Sequence, residues 1–206
     1  MLRPVLSAAV YAAVLSASLL AQAPGWKVHT DPSQSASDPD NTPDLKYMVM
    51  GNGFHVVSGP AGTYWRPSNT ATGNYTAKAT FNLLTPSNHV NYYGLVFGGK
   101  NLDGPTQTYG YFVIAQDGTF QVRQRNGANV TTVTGPTANA AIKQPGANGM
   151  SSNVLEVRVA GDSVSYVVNG TVVHSAPKGA LATDGLAGVR INHVLSVHVD
   201  GFAIGK

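Results

Sequence analysis

Apolar and polar residues alternate along much of this chain with a period of two, the repeat of a strand whose two faces meet different surroundings. The clearest run is NVLEVRVAGDSVSYVVNGTVVHS, residues 153–175. Leu155, Val157 and Val159 alternate with Glu156 and Arg158, and Val164, Tyr166 and Val168 share one face of the next stretch. Gly161-Asp162 and Asn169-Gly170 fall between the runs. Asn-Gly is the dipeptide that best tolerates the two positive φ angles of a type I′ hairpin turn. The pattern predicts three antiparallel strands joined by two tight turns.

The same reading extends in both directions. Trp26–His29 forms a short first strand. Tyr47–Met50 and Phe54–Val57 make a hairpin around Gly51-Asn52-Gly53, and Thr63–Arg66 a short strand. Asn74–Leu84 is the longest alternating run, with Tyr75, Ala77, Ala79, Phe81 and Leu83 on one face. Tyr92–Phe97 reads as a more buried strand. Thr108–Ala115 and Thr119–Arg125 form a hairpin across Gln116-Asp117-Gly118, with Phe112, Ile114, Phe120 and Val122 turned to the core. Val130–Val133 reads as a brief strand, Thr134–Ser151 as loop, and Leu186–Asn192 and Leu195–Ile204 close the fold. Strands recur at short intervals with no useful helical period, so the expected class is all-β: a single, antiparallel, jelly-roll-like β-sandwich.

Composition narrows the possible partners. At 206 residues the chain suits one domain with a large core. Charged residues make up only 11%, against about 25% in a typical globular protein, so solubility rests on Ser, Thr, Asn and Gln. A net charge of +3 without a basic run argues against nucleic acid. Having no cysteine, the chain has no disulfide, no thiolate-bound zinc and no cysteine nucleophile. Residues 1–23 have the features of a signal peptide: Arg3, the mostly apolar Val5–Leu20, and Ala21-Gln22-Ala23 as a cleavage site. Pro24 is an unusual first mature residue, and an uncleaved anchor is the other reading. No later stretch is long and apolar enough to span a bilayer, so the expected location is secreted or periplasmic, with no membrane span once the signal is removed. Residues 24–44 then hold the first strand and a polar loop, and 45–206 the sandwich. Asp31, Asp38, Asp40 and Asp44 crowd that loop. Carboxylates so placed can hold calcium, although they lack the EF-hand spacing; a solvated loop is the plainer reading, and no other cofactor is expected.

In the hairpin of residues 108–125, core-facing Phe112 and Ile114 leave Tyr109, Tyr111, Arg123 and Arg125 on the opposite face. If the strands from Leu186 and Phe54 lie in the same sheet, Arg190, His193 and His55 join them. Tyrosine rings stack on sugar C–H faces, and guanidinium forks bind hydroxyls or carboxylates. The expected ligand is therefore an oligosaccharide or cell-surface glycan. The competing reading is a polar layer beneath a covering loop. No metal-binding histidine motif is present. His193, His198 and Asp200 are close enough in sequence for a metal site, with edge-strand packing as the alternative.

Three stretches together carry a family resemblance: YYGLVFGGKNLDGPTQTYGYFVIAQDGTFQVRQRNG, the meander of residues 153–175, and DGLAGVRINHVLSVHVDGFAI. They resemble the concanavalin A-like lectin/glucanase superfamily, in particular the laminin-G-like and 3-keto-disaccharide hydrolase-type domains of secreted bacterial proteins. The resemblance implies the sandwich over most of residues 45–206. It leaves function open, because the fold hosts lectins, hydrolases, lyases and adhesion modules. Glucanases of this superfamily carry an E-x-D-x-x-E strand that supplies two carboxylates. Here Glu156 is the single glutamate, so that mechanism is not expected. The leading expectation is a non-catalytic carbohydrate-binding protein. A glycoside-cleaving enzyme of the keto-disaccharide type, with His55, His193 or Asp200 in a cleft, is the second, and a structural or adhesion domain the third.

Overall fold

The structure, a computed structural model, describes residues 25–31 and 44–206. Fourteen strands follow in order: β1 (Lys27–Asp31), β2 (Lys46–Met50), β3 (Gly53–Val57), β4 (Ala61–Ala71), β5 (Tyr75–Thr85), β6 (Tyr92–Lys100), β7 (Thr108–Ala115), β8 (Thr119–Asn126), β9 (Asn129–Ala138), β10 (Ser151–Ala160), β11 (Ser163–Val168), β12 (Thr171–Pro177), β13 (Gly185–Ile191) and β14 (Ser196–Gly205). They pair antiparallel into two seven-stranded sheets. The first runs β1-β4-β13-β6-β7-β8-β9, the second β12-β11-β10-β5-β14-β3-β2. This is the all-β sandwich that the alternation predicts. Among the described residues no helix is long and apolar enough to cross a membrane.

The core lies between the sheets and is built from the residues that the period-two pattern turns inward. Phe112, Ile114, Phe120 and Val122 meet Ala77, Phe81, Leu155 and Tyr166 across the gap. The turn residues do what their chemistry allows: Asn169 and Gly170 both adopt positive φ, 49° and 85°, and Asn169 also donates from Nδ2 to Ala141 O at 2.8 Å.

Several strands are longer than the pattern indicates. β4 runs eleven residues, not four, and β9 continues to Ala138 through a stretch read as loop. β9 is an edge strand whose first five residues are all exposed, so no core selects an apolar alternation there. Pro136 is tolerated because an edge strand can leave its outward side without N–H donors. The expected signal segment and most of the polar loop, including Asp38 and Asp40, lie outside the described residues.

Candidate functional site

The outer face of the first sheet gathers five of the seven residues expected to bind a ligand. Register sets Tyr109 opposite Arg125 and Tyr111 opposite Arg123 on β7 and β8. β13 lies in the same sheet, which brings in Arg190. The other two go elsewhere. His55 is on β3 of the second sheet, paired with His198 of β14. His193 follows β13 and lies with its ring 5.7 Å from that of His89. The single composite site is therefore corrected to a five-residue group: β3 pairs with β14 and β2, not with β13.

The two tyrosines are not open platforms. Tyr109 is 2% exposed and Tyr111 8%. Leu102, from the loop after β6, packs over this face with Trp65, Val96 and Val113 and seals a small second apolar cluster around both rings. Burial pushes the Tyr111 hydroxyl pKa up, partly offset by Arg123 and Arg190. Ring faces inside this cluster are not available for stacking on a sugar.

Hydrogen bonding is concentrated at one end of the face. Asp31, the last residue of β1, accepts a hydrogen bond from Arg190 Nη1 and forms an ion pair with Arg125, whose Nη1 lies 3.0 Å from the same Asp31 oxygen. Gln107 Nε2 donates to its other oxygen at 3.2 Å, and His29 Nε2 lies 3.5 Å from the same oxygen. Arg190 is buried and also reaches Thr63 Oγ1 at 3.1 Å and the Tyr109 hydroxyl at 3.3 Å. Arg125 is fixed further by donating from Nε to Gly127 O at 2.8 Å. Burial alone would raise the Asp31 pKa, but the two guanidiniums outweigh it and hold the carboxyl below its ordinary range. Asp31 therefore stays ionised.

Asp31, Arg125, Gln107 and His29 line a hollow of about 450 Å³, bounded by Asp103–Pro105 and Gly127. A carboxylate and a guanidinium held rigidly side by side can accept from one hydroxyl and donate to its neighbour, with an amide and an imidazole within reach. Sequence reasoning found Arg125 and Arg190; it singled out Asp31 only as a calcium carboxylate and passed over His29 and Gln107 as ligand-binding residues. Their only signal was position: Asp31 closes β1, and Gln107 immediately precedes β7.

The remaining expectations have definite places. Asp31 faces arginines rather than an open carboxylate cluster, and Asp44 is exposed. His198 Nε2 is 3.0 Å from Asp200, but among the described residues no three such side chains, His193 included, converge as metal ligands. Ser196 Oγ is 3.2 Å from His55 Nε2. The Asp–His and Ser–His contacts thus fall on two different imidazoles, 6.3 Å apart by ring centre, and do not chain into a Ser-His-Asp triad. Glu156 lies in the second sheet, held by Lys78 and Arg158.

Neither a family model nor a curated protein sequence matches the chain. Solved structures match the fold. A carbohydrate-binding module, CBM66 from Bacillus subtilis, aligns over 88% of this chain and 96% of its own with a TM-score of 0.61 at 10% identity. A Bacillus subtilis protein with a galectin-like fold aligns over 89% and 90% with a TM-score of 0.60 at 12% identity. The GH16 protein of the Bacteroides ovatus mixed-linkage glucan locus, solved with an oligosaccharide product, aligns over 87% and 94% with a TM-score of 0.56 at 8% identity. The chain thus shares its β-sandwich fold with these three proteins.

Proposed function

We propose that this is a secreted or periplasmic, non-catalytic carbohydrate-binding protein, and that it takes its glycan in the hollow at Asp31 and Arg125. One observation carries the reading: an ionised carboxylate is fixed between two guanidiniums at the wall of an open hollow, with Gln107 and His29 beside it. Such a group is organised before the ligand arrives, so little ordering cost falls on binding. The carbohydrate-binding module and galectin-like neighbours add support at the level of fold. Recognition then proceeds through hydrogen bonds to paired hydroxyls rather than through tyrosine stacking. The non-catalytic assignment rests on the carboxylates: Asp31 is held ionised and cannot donate a proton as a glycosidase acid must, Asp103 at the rim of the hollow is an exposed partner of Lys27, and Glu156 is tied up in the other sheet.

A thermal-shift and calorimetric screen of the purified protein against neutral and acidic oligosaccharides, in chelator, tests this. A ligand at 100 times its Kd adds about 2.7 kcal/mol, a rise of roughly 5–10 °C for a domain of this size. Arg125→Ala abolishes the shift. The absence of a shift with every sugar refutes the binding assignment, and release of reducing ends from a bound sugar refutes the non-catalytic one. Cell fractionation and the N-terminal mass of the exported chain check the location.

A further inference from the structure

The outer face of the second sheet carries a row that the first site does not use. Register places Met48, His55, His198, Asn82 and Ser152 directly side by side on β2, β3, β14, β5 and β10. Their sequence neighbours Phe54, Val197, Phe81 and Leu83 face the core, so these side chains face out. Four strand spacings make the row about 19 Å long, and a hollow of about 550 Å³ lies along it, flanked by Met50 and Met150.

The row's polar groups are partly committed and partly open. Asp200 Oδ2 accepts from Asn82 Nδ2 at 3.3 Å and sits 3.0 Å from His198 Nε2. A carboxylate at Nε2 favours the tautomer with its proton there and leaves Nδ1 as an acceptor. His198 Nδ1 is buried and has no partner. His55 and His198 face each other; burial, and then the neighbouring imidazole, lower the His55 pKa, so His55 favours its neutral form. The row itself is built of Met, His, Asn and Ser side chains, and the carboxylate beside it, Asp200, disfavours an anion. Exposed Met50 and Met150 supply adaptable apolar surface at the sides.

We propose that this row is a second ligand site, for a neutral linear oligosaccharide lying across the strands. Mixed donors and acceptors along an elongated trough, with Asn82, Ser152 and His55 among its lining, meet successive hydroxyls, and the methionines cover C–H faces. The site lies on the opposite side of the sandwich from Asp31 and does not depend on the hollow there.

Histidine ring resonances separate the two faces in one experiment, because His29 reports the first hollow and His55 and His198 report the row. The uniformly ¹³C-labelled protein is titrated with cello-, laminari-, xylo-, manno- and maltohexaose while the imidazole Cε1–Hε1 signals are followed. The expected result is that at least one hexaose moves His55 and His198 saturably, and that Asn82→Ala and Ser152→Ala each weaken that binding by about tenfold, the value of a side-chain hydrogen bond to ligand. Ser152 is exposed, so its variant reads binding even if Asn82→Ala impairs folding. If every hexaose leaves both signals unmoved, whether or not His29 responds, the proposal fails. It also fails if sedimentation shows a dimer that Met48→Lys dissolves, since a second copy then occupies the face.

Discussion

Replacing Asp31 with asparagine removes one negative charge and almost no volume. It therefore isolates what the carboxylate does for the two guanidiniums. The Arg190 side chain is 10% exposed, Arg125 17% and Asp31 14%. Breaking a buried ion pair by removing one partner costs 3–5 kcal/mol. The residual exposure of Arg125 lets water screen part of its charge, so about 3 kcal/mol is expected here. For a chain of this length that lowers Tm by roughly 6–12 °C. The sign of the pH dependence is fixed by the depressed carboxyl pKa. The contribution is present in full above the ordinary Asp value of about 3.9, and it is lost as pH falls through the lower folded value. Urea unfolding of wild type and Asp31→Asn at pH 7 and again near pH 2.5 measures both quantities. The expected gap is wide at neutral pH and narrower in acid. A gap under about 1 kcal/mol at pH 7 would mean that water, not Asp31, solvates the guanidiniums. An equal gap at both pH values would trace the loss to packing rather than charge. Adding Arg190→Met to Asp31→Asn removes the more buried of the two stranded cations and recovers part of the loss.

Two further variants test the frame around these sites. Gly170→Ala puts a Cβ at φ +85° with no atom within 4 Å of it, so its cost is conformational alone, about 1 kcal/mol, read as a lower urea midpoint with unchanged slope. Asn153 is fully buried; it accepts from Lys143 N at 2.8 Å, donates to Lys143 O at 2.9 Å and accepts from Asn169 Nδ2. Asn153→Ala strands those groups and costs about 2–3 kcal/mol, with faster amide exchange around Lys143 as the local signature.

The strands and their inward faces were legible because a two-residue period is a local property. A strand half buried in a sandwich writes its two environments into adjacent positions, and Phe112, Ile114, Phe120 and Val122 face where alternation puts them. Asn169-Gly170 was legible for the same reason, since positive φ selects residue type directly. Edge strands escape this logic, as β9 shows. What periodicity cannot carry is which strand lies beside which. His55 was grouped with Arg190 because parity puts each on an outward face, but β3 and β13 belong to different sheets. Nor does alternation report what lies above a face. Leu102, an apolar residue in a polar loop, joins Trp65, Val96 and Val113 around the two tyrosines in a small second core.

Asp31 combines both kinds of illegible information. β1 has only five residues and is an edge strand with one sheet neighbour, β4. Five residues of edge pairing hold a chain segment weakly, and edges are where local opening is easiest. The carboxylate at its end ties that strand to β13 through Arg190, to β8 through Arg125, and to the start of β7 through Gln107. The same oxygens face the hollow. Fastening the first strand and presenting the candidate glycan-binding group are therefore one structural fact. The hollow exists only while β1 is docked, so a ligand seated there binds the docked state alone and must stabilise it by mass action. Amide protection of Val28–Thr30 should then rise with occupancy of the Asp31 hollow and stay unchanged when only the His198 row on the opposite sheet is filled.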